Sequence, residues 1–144
     1  MTELYFAYGS NLHKEQMQKR CPDSRPIAMA TLKGFELVFR GVADIVPKKG
    51  EFVAGALYEV SAKDKAALDR YEGYPTLYTR FTFPVKVKGL PHTHAFVYIM
   101  TGGVLRPPTV HYWNTIRQGY IDWGWPVRAL AEKGTPETRT RRLA

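Results

Sequence analysis

The sequence predicts an α+β domain in which mostly antiparallel strands are flanked by helices. Apolar runs of strand length and helical segments follow one another in the order β-α-β-β-β-α-β-β-α, and short turns separate most neighbouring strands. Strands joined by short turns pair antiparallel, because a parallel pair needs a long crossover connection. The length of 144 residues is that of one domain, and it can bury a core without a metal or disulfide.

The first half of the chain contains one helix and four of the predicted strands. LYFAY predicts a buried strand that ends at Gly9, and LHKEQMQKR predicts a helix with Asn11 as its N-cap. IAMATL and FELVFR predict two strands that meet at a Lys33-Gly34 turn. In the next strand, FVAGALYEV, Gly55 indicates a bulge or a close approach of another backbone segment.

The second half begins with a well-marked helix. Ser61 and Asp64 form a capping box at the start of AKDKAALDRY, and Gly73 predicts a left-handed end. YTRFTFPVKVKG and THAFVYIM alternate as strands do, and they are predicted to pair across a GLPH turn that contains Pro91 and His92. VHYWNTIRQGYIDW and PVRALAEK predict two final helices.

Residues 1–131 are predicted to form the domain and residues 132–144 a flexible basic tail. The one cysteine, Cys21, excludes an internal disulfide and is typical of a reducing compartment. No signal-peptide pattern and no apolar run of bilayer-spanning length occurs in the sequence. We therefore expect a cytoplasmic protein that has no membrane partner and acts as a monomer or a homodimer.

The chain is strongly basic, with a formal net charge of +8 and a pI of about 9.7. Such a charge attracts nucleic acid, or a small carboxylate-rich substrate, by long-range steering. However, the basic residues are dispersed except in RTRRLA, and the aromatic residues fall mostly at strand-interior positions typical of a core. A nucleic-acid-binding module is therefore the alternative and not the leading interpretation.

The turn Gly9-Ser10-Asn11 connects an apolar strand directly to a polar helix. The start of a helix presents N–H groups without backbone acceptors, together with a partial positive charge. Gly9 allows a ligand to approach the backbone closely. Either these N–H groups are capped in an ordinary strand–helix turn, or they bind a carboxylate or a developing oxyanion.

Glu72 is predicted at the C-terminal end of a helix, directly before Gly73. A carboxylate at this position faces the negative end of the helix dipole, which raises its pKa. Desolvation by Tyr71, Tyr74 and nearby apolar residues would raise the pKa further. A pKa near neutrality suits proton transfer. The alternative is an exposed glutamate beside a helix cap.

Other candidate chemistry is weaker. His92 and His94 would place two imidazoles on one strand face, but no third ligand follows at a matching spacing, so no metal site is predicted. Cys21 precedes Pro22 without an obvious base, which favours a structural thiol over a nucleophile. There is no phosphate loop or dinucleotide fingerprint, and hence no predicted cofactor.

Two segments, LYFAYGSNL and LDRYEGYPTLYTR, resemble the defining segments of the gamma-glutamylcyclotransferase and AIG2-like family. The resemblance continues through FVAGALYEV, AFVYIM and HYWNTIRQGYIDWGWP, in the same order and spacing. It implies a small mixed barrel flanked by helices. It also implies an enzyme in which the α-amine of a gamma-glutamyl group attacks its own γ-carbonyl and releases 5-oxoproline.

The resemblance also implies roles for single residues. Glu72 matches the family's acid/base, and the loop Tyr8-Gly9-Ser10-Asn11 matches its substrate cradle. The remaining matched pocket residues are Tyr78, Tyr98 and Tyr112. The substrate would be a small gamma-glutamyl compound, and its leaving group stays open: an amino acid, an amine, a peptide or a carrier-bound chain. A catalytically idle scaffold of the same fold is a further alternative, against which the retained Glu72 and YGSN argue.

The last segment departs from the family. This chain has Gly124-Trp125-Pro126 where the family often has Gly-Leu-Pro. We expect Trp125 to narrow or cover the pocket and so to influence the choice of leaving group. Cyclotransferases that act on gamma-glutamylamines carry a YGT-type loop instead of YGSN, which makes that subclass the less favoured one.

Overall fold

The computed structural model describes residues 2–136, apart from the side chains of Pro91 and His92. Within this range a short 3-10 helix, Ser10–Leu12, follows the first strand. The strands and α-helices are β1 (Thr2–Ala7), α1 (Lys14–Arg20), β2 (Arg25–Phe39), β3 (Ala43–Ser61), α2 (Ala62–Glu72), β4 (Tyr78–Val87), β5 (Leu90–Met100), α3 (Val110–Trp123) and α4 (Val127–Ala131).

The strands form a closed barrel in the order β1-β3-β2-β4-β5. The pairs β1–β3, β2–β3, β2–β4 and β4–β5 are antiparallel. A parallel contact between β1 and β5, at Tyr5 and Phe96, closes the barrel. The sequence prediction of a small, mixed and mostly antiparallel barrel flanked by helices is therefore confirmed.

The predicted turn at Lys33-Gly34 is wrong. IAMATL and FELVF, without Arg40, are two parts of the single strand β2, and both pair with β3. Gly34 has a φ of 84°, and the pairing register shifts between Lys33 and Phe35. A left-handed glycine here allows a bulge, so the chain bends without reversing.

The predicted GLPH turn, residues 89–92, is also wrong. The chain reverses at Lys88-Gly89, and only Gly89 is common to the two turns. Gly89 has a φ of 83°, which the two-residue hairpin requires. Pro91 and His92 therefore belong to β5.

Other local predictions are confirmed. The backbone N–H of Asp64 donates to Ser61 Oγ at 3.1 Å, and the Ser61 N–H donates to Asp64 Oδ2 at 3.3 Å, so the capping box is complete. Gly73 ends α2 with a φ of 68°. At Gly55, a Cβ atom would lie 2.5 Å from Phe6 Cζ, so the close approach of β1 to β3 requires glycine there.

Helix α3 holds the connection between β1 and α1 in place. A Cβ atom at Gly119 would lie 2.5 Å from Leu12 Cβ and 2.8 Å from the backbone nitrogen of His13. Trp123 Nε1 donates to the Leu12 carbonyl at 3.0 Å. The position of the 3-10 turn is thus set by a helix about a hundred residues later in the chain.

The part of the predicted tail that is described packs against the rest of the chain. Trp113 Nε1 donates to the Gly134 carbonyl at 3.2 Å. Residues 137–144, which include RTRRLA, lie outside the described residues, and the flexible basic tail stays a prediction. No helix in residues 2–136 has the length and apolar character needed to span a membrane.

Candidate active site

A cavity of about 270 Å³ lies where β1 and α2 end. Every residue that the sequence analysis assigned to the site lines this cavity. Its full lining is Tyr5, Tyr8, Gly9, Ser10, Asn11, Val42, Ala43, Tyr71, Glu72, Leu77, Tyr78, Tyr98 and Tyr112. Sequence reasoning missed Tyr5, Val42 and Ala43. Val42 directly precedes β3 and Ala43 is its first residue, so both lie ahead of the strand segment that the sequence predicted.

The loop after β1 differs in detail from the prediction, because Asn11 does not cap α1. The 3-10 turn intervenes, with the Leu12 N–H donating to the Gly9 carbonyl at 3.0 Å. His13 caps α1 instead, through an Nδ1 atom that accepts from the Gln16 N–H at 3.2 Å. Among the described residues, the N–H groups of Gly9 and Asn11 donate to no backbone acceptor. Both residues line the cavity, so these two N–H groups are available as donors to a ligand there.

Steric crowding around position 9 requires a glycine there. Its φ of −113° is open to other residues, but a Cβ atom would lie 2.8 Å from the Tyr112 hydroxyl oxygen and 3.2 Å from Ala43 Cβ. The absence of a side chain thus lets α3 and β3 approach the loop. A close approach at this glycine was expected from a ligand, whereas the approaching groups are the Tyr112 and Ala43 side chains.

Glu72 is the last residue of α2 and is half-buried. Burial raises the pKa of its carboxyl group from 4.5 to about 7, and the positive charge of Arg20 opposes the increase. The sequence predicted this direction from the helix dipole and from desolvation, and desolvation is the main cause. A carboxyl group with this pKa can both accept and return a proton near neutral pH.

Three of the pocket tyrosines donate their hydroxyl protons to the protein itself. Tyr8 donates to the Tyr98 carbonyl at 2.7 Å, and Tyr78 donates to the Ala43 carbonyl at 2.7 Å. Tyr98 donates to Asp69 Oδ1 at 2.6 Å. Each hydroxyl oxygen can therefore offer only lone pairs to a ligand.

The hydroxyl groups of two other tyrosines accept hydrogen bonds from the protein instead of donating them. The Tyr112 hydroxyl accepts from the Ala43 N–H at 3.1 Å, and the Tyr5 hydroxyl accepts from Asn11 Nδ2 at 2.9 Å. Both keep a proton to donate. The cavity thus offers both hydrogen-bond acceptors and donors, and such placed polar groups can fix the orientation of a small polar ligand.

Trp125 does not contact this cavity, so the expectation that it narrows or covers the pocket is wrong. Gly124 ends α3 with a φ of 84°, and Trp125 is not among the residues that line the cavity. Trp125 Nε1 donates to the Gly55 carbonyl at 2.9 Å, and the ring lines a separate groove with Met29 and Phe52.

The remaining candidates have structural surroundings. Cys21 is fully buried, its Sγ lies 3.6 Å from the Asp64 carbonyl oxygen, and burial raises its pKa to about 12. This agrees with a structural thiol. Within residues 2–136, leaving aside the side chain of His92, no three His, Cys, Asp or Glu side chains are grouped as metal ligands would be.

Taken together, the site combines a carboxyl group with a pKa near neutrality, two backbone N–H groups without backbone acceptors and a small cavity lined by tyrosines, which are groups that acid–base chemistry can use. The family description "Gamma-glutamyl cyclotransferase, AIG2-like" matches residues 5–120. The chain belongs to this family.

Named relatives agree with the family. A mouse gamma-glutamylcyclotransferase is 29% identical in an alignment 138 residues long that covers 87% of this chain and 73% of the relative. A rat gamma-glutamylaminecyclotransferase is 39% identical over 94 residues, covering 57% of this chain and 62% of the relative. A solved structure titled gamma-glutamyl cyclotransferase superimposes with a TM-score of 0.83 at 25% identity, over 92% of this chain and 86% of the other.

Proposed function

We propose that the protein is a cytoplasmic gamma-glutamyl cyclotransferase that converts a small gamma-glutamyl amide into 5-oxoproline and a free amine. The observation that carries the proposal is the placement of Glu72, with a pKa of about 7, in the same small cavity as the N–H groups of Gly9 and Asn11. Family membership supports the proposal, and so does the match of acceptors and donors to an amino-acid head group.

The first step is removal of a proton from the substrate ammonium by the Glu72 carboxylate. The freed nitrogen lone pair attacks the γ-carbonyl carbon, so that a C–N bond forms and the carbonyl π electrons move to oxygen. Because both reacting groups belong to one molecule, holding them in contact replaces much of the activation entropy. The lone pairs of Tyr8, Tyr78 and Tyr98 suit the ammonium before this transfer.

The second step is collapse of the tetrahedral intermediate. The N–H groups of the loop and the Tyr112 hydroxyl stabilise its oxyanion, and preorganised donors of this kind contribute about 3–4 kcal/mol each. Protonated Glu72 returns its proton to the leaving nitrogen as the original C–N bond breaks. The new ring nitrogen still carries one extra proton, and the Glu72 carboxylate transfers this proton to the released amine, which leaves as an ammonium ion. The amine and 5-oxoproline are released, and Glu72 is again a carboxylate.

The leaving group stays open between an amino acid, an amine, a peptide and a carrier-bound chain, and the small candidates can be compared directly. The YGSN loop favours gamma-glutamyl amino acids or peptides, whereas the rat relative is named for gamma-glutamylamines. A substrate panel should therefore pair each gamma-glutamyl amino acid with the gamma-glutamylamine that lacks only the second carboxylate. The preferred member of each pair identifies the leaving-group class.

The test is 5-oxoproline release from this panel, measured by mass spectrometry for the wild type and for Glu72→Gln. The amide is nearly isosteric but cannot accept the ammonium proton, so we expect a normal fold and a loss of turnover of at least about a hundredfold. Glu51→Gln, an exposed glutamate outside the cavity, is the matched control.

Near-normal turnover by Glu72→Gln would show that the assigned mechanism is wrong. Absence of product from every panel member, combined with salt-sensitive binding of nucleic acid, would favour the basic binding module instead.

A further inference from the structure

Arg20, the last residue of α1, does not line the cavity but is bonded to two residues that do. Its Nη1 donates to Asn11 Oδ1, and its Cζ lies 3.4 Å from the centroid of the Tyr71 ring. Asn11 belongs to the loop Tyr8-Gly9-Ser10-Asn11, called the substrate loop below, and Tyr71 directly precedes Glu72. One guanidinium group therefore connects the loop to the end of α2.

The partners of Arg20 extend this connection. Asn11 is buried, and its Nδ2 donates to the Tyr5 hydroxyl at 2.9 Å. The Tyr71 hydroxyl lies 2.9 Å from Ser10 Oγ, within hydrogen-bond distance. A planar guanidinium can hydrogen-bond at its edge and stack through its face at the same time, which an ammonium group cannot do.

Arg20 has a second role, which is its electrostatic effect on Glu72. Its positive charge lowers the pKa of Glu72 and so counteracts burial. The other titratable groups that sense the Glu72 charge are phenols, contributed by the end of β1, by β4, by β5 and by α3. These are Tyr5, Tyr8, Tyr78, Tyr98 and Tyr112.

We propose that Arg20 is a positioning residue of this site, which holds the substrate loop against the end of α2 and supplies the positive charge that keeps Glu72 ionised when substrate binds. The inference rests on the proposed function for its catalytic consequence. Its physical content, a coupling between Arg20 and Glu72, can be measured without turnover.

The kinetic test compares Arg20→Met, which retains the apolar stem, with Arg20→Lys, which retains the charge. In Arg20→Met the acid limb of kcat/KM against pH should move to higher pH. The ratio of kcat/KM at pH 6 to that at pH 8 should then fall by up to about tenfold, as expected for loss of a nearby opposite charge. Arg20→Lys should keep the wild-type ratio, although its kcat should fall because the stacking is lost.

Arg70→Met is the matched control, because it removes an exposed positive charge from the last turn of α2. Its pH profile should equal that of the wild type. An equal loss of kcat/KM at every pH in Arg20→Met would overturn the proposal, since that is the result of a purely structural role. If Arg20→Met does not fold, Arg20→Gln provides the same comparison while keeping a donor for Asn11.

A second readout does not depend on activity. The titration of Glu72 is followed by NMR in protein carrying ¹³C-labelled glutamate, with Glu72→Gln identifying the resonance. The midpoint should move to higher pH in Arg20→Met and stay unchanged in Arg70→Met. An unmoved midpoint in Arg20→Met would overturn the proposal, whereas a moved midpoint in a protein without turnover would support Arg20's role and reject the proposed function.

Discussion

The Tyr98 hydroxyl donates a 2.6 Å hydrogen bond to Oδ1 of Asp69, a carboxylate that Arg80 also binds through two donors at 3.0 and 3.1 Å. The backbone carbonyl of Tyr98 accepts in turn from the Tyr8 hydroxyl. One residue of β5 thus connects α2 to the loop after β1. Because Asp69 lies one helical turn before Glu72, this pair helps to orient the carboxyl group of the site.

The substitution Tyr98→Phe removes this hydrogen bond and leaves Asp69 with Arg80 alone. We expect the free energy of unfolding to fall by about 1–2 kcal/mol, since the hydroxyl bonds to a charged group. We also expect kcat/KM to fall about tenfold, because the Tyr98 hydroxyl is one of the acceptors proposed for the substrate ammonium. Urea denaturation and the 5-oxoproline assay measure the two effects.

Tyr120→Phe is the control for this prediction. Tyr120 is also buried, and its hydroxyl has no hydrogen-bond partner among the described residues. Equal losses of stability in the two variants would mean that the bond to Asp69 contributes nothing.

Gly9→Ala should displace the Tyr112 hydroxyl, because the added Cβ would lie 2.8 Å from it. We expect kcat/KM to fall at least about tenfold, because Tyr112 is one of the donors proposed to stabilise the oxyanion and its hydroxyl moves. The double variant with Tyr112→Phe should lose less than the sum of the single losses, because the clashing atom is gone. Gly102→Ala, with no atom near its Cβ, should behave as wild type. Full additivity in the cycle would contradict this account.

The raised pKa of Glu72 predicts that the site costs stability at neutral and higher pH. Between pH 4.5 and about 7 the folded state keeps a proton that the unfolded state has lost, so the free energy of unfolding falls as the pH rises through this window. The difference corresponds to about 3 kcal/mol at full effect.

Glu72→Gln removes this dependence. The variant should be more stable than wild type at pH 8, by up to about 3 kcal/mol, and equally stable at pH 4. Urea unfolding at both pH values tests this, with Glu51→Gln expected to follow the wild type. A variant that is less stable than wild type at pH 8 would show that Glu72 stabilises the fold as a carboxylate.

Trp125→Leu restores the residue that the family often has at this position. Because Trp125 lies outside the Glu72 cavity, the ranking of gamma-glutamyl substrates should not change. The free energy of unfolding should fall by about 1–3 kcal/mol, since an indole hydrogen bond and apolar packing are lost. A changed substrate ranking, measured on the same panel, would bring Trp125 back as a specificity residue.

Much of the fold could be predicted because its signals are local. The capping box at Ser61, the left-handed end at Gly73 and the strand-helix order depend on backbone preferences within a few residues. The same local logic failed at Gly34, since a left-handed glycine suits both a turn and a bulge. Only pairing with β3 along both halves of β2 decides between them.

The sequence by itself determined the chemical groups of the site: a glutamate at a helix end, a glycine-containing loop after a strand, and tyrosines in the later strands and helix. The tertiary structure decided how those groups are presented. It brings Ala43 and Tyr112 against Gly9 and places Arg20 beside Tyr71. It also directs the hydroxyl protons of three tyrosines to acceptors within the protein. These contacts join residues that are distant along the chain, so no local propensity specifies them, and they exist only once the barrel has closed.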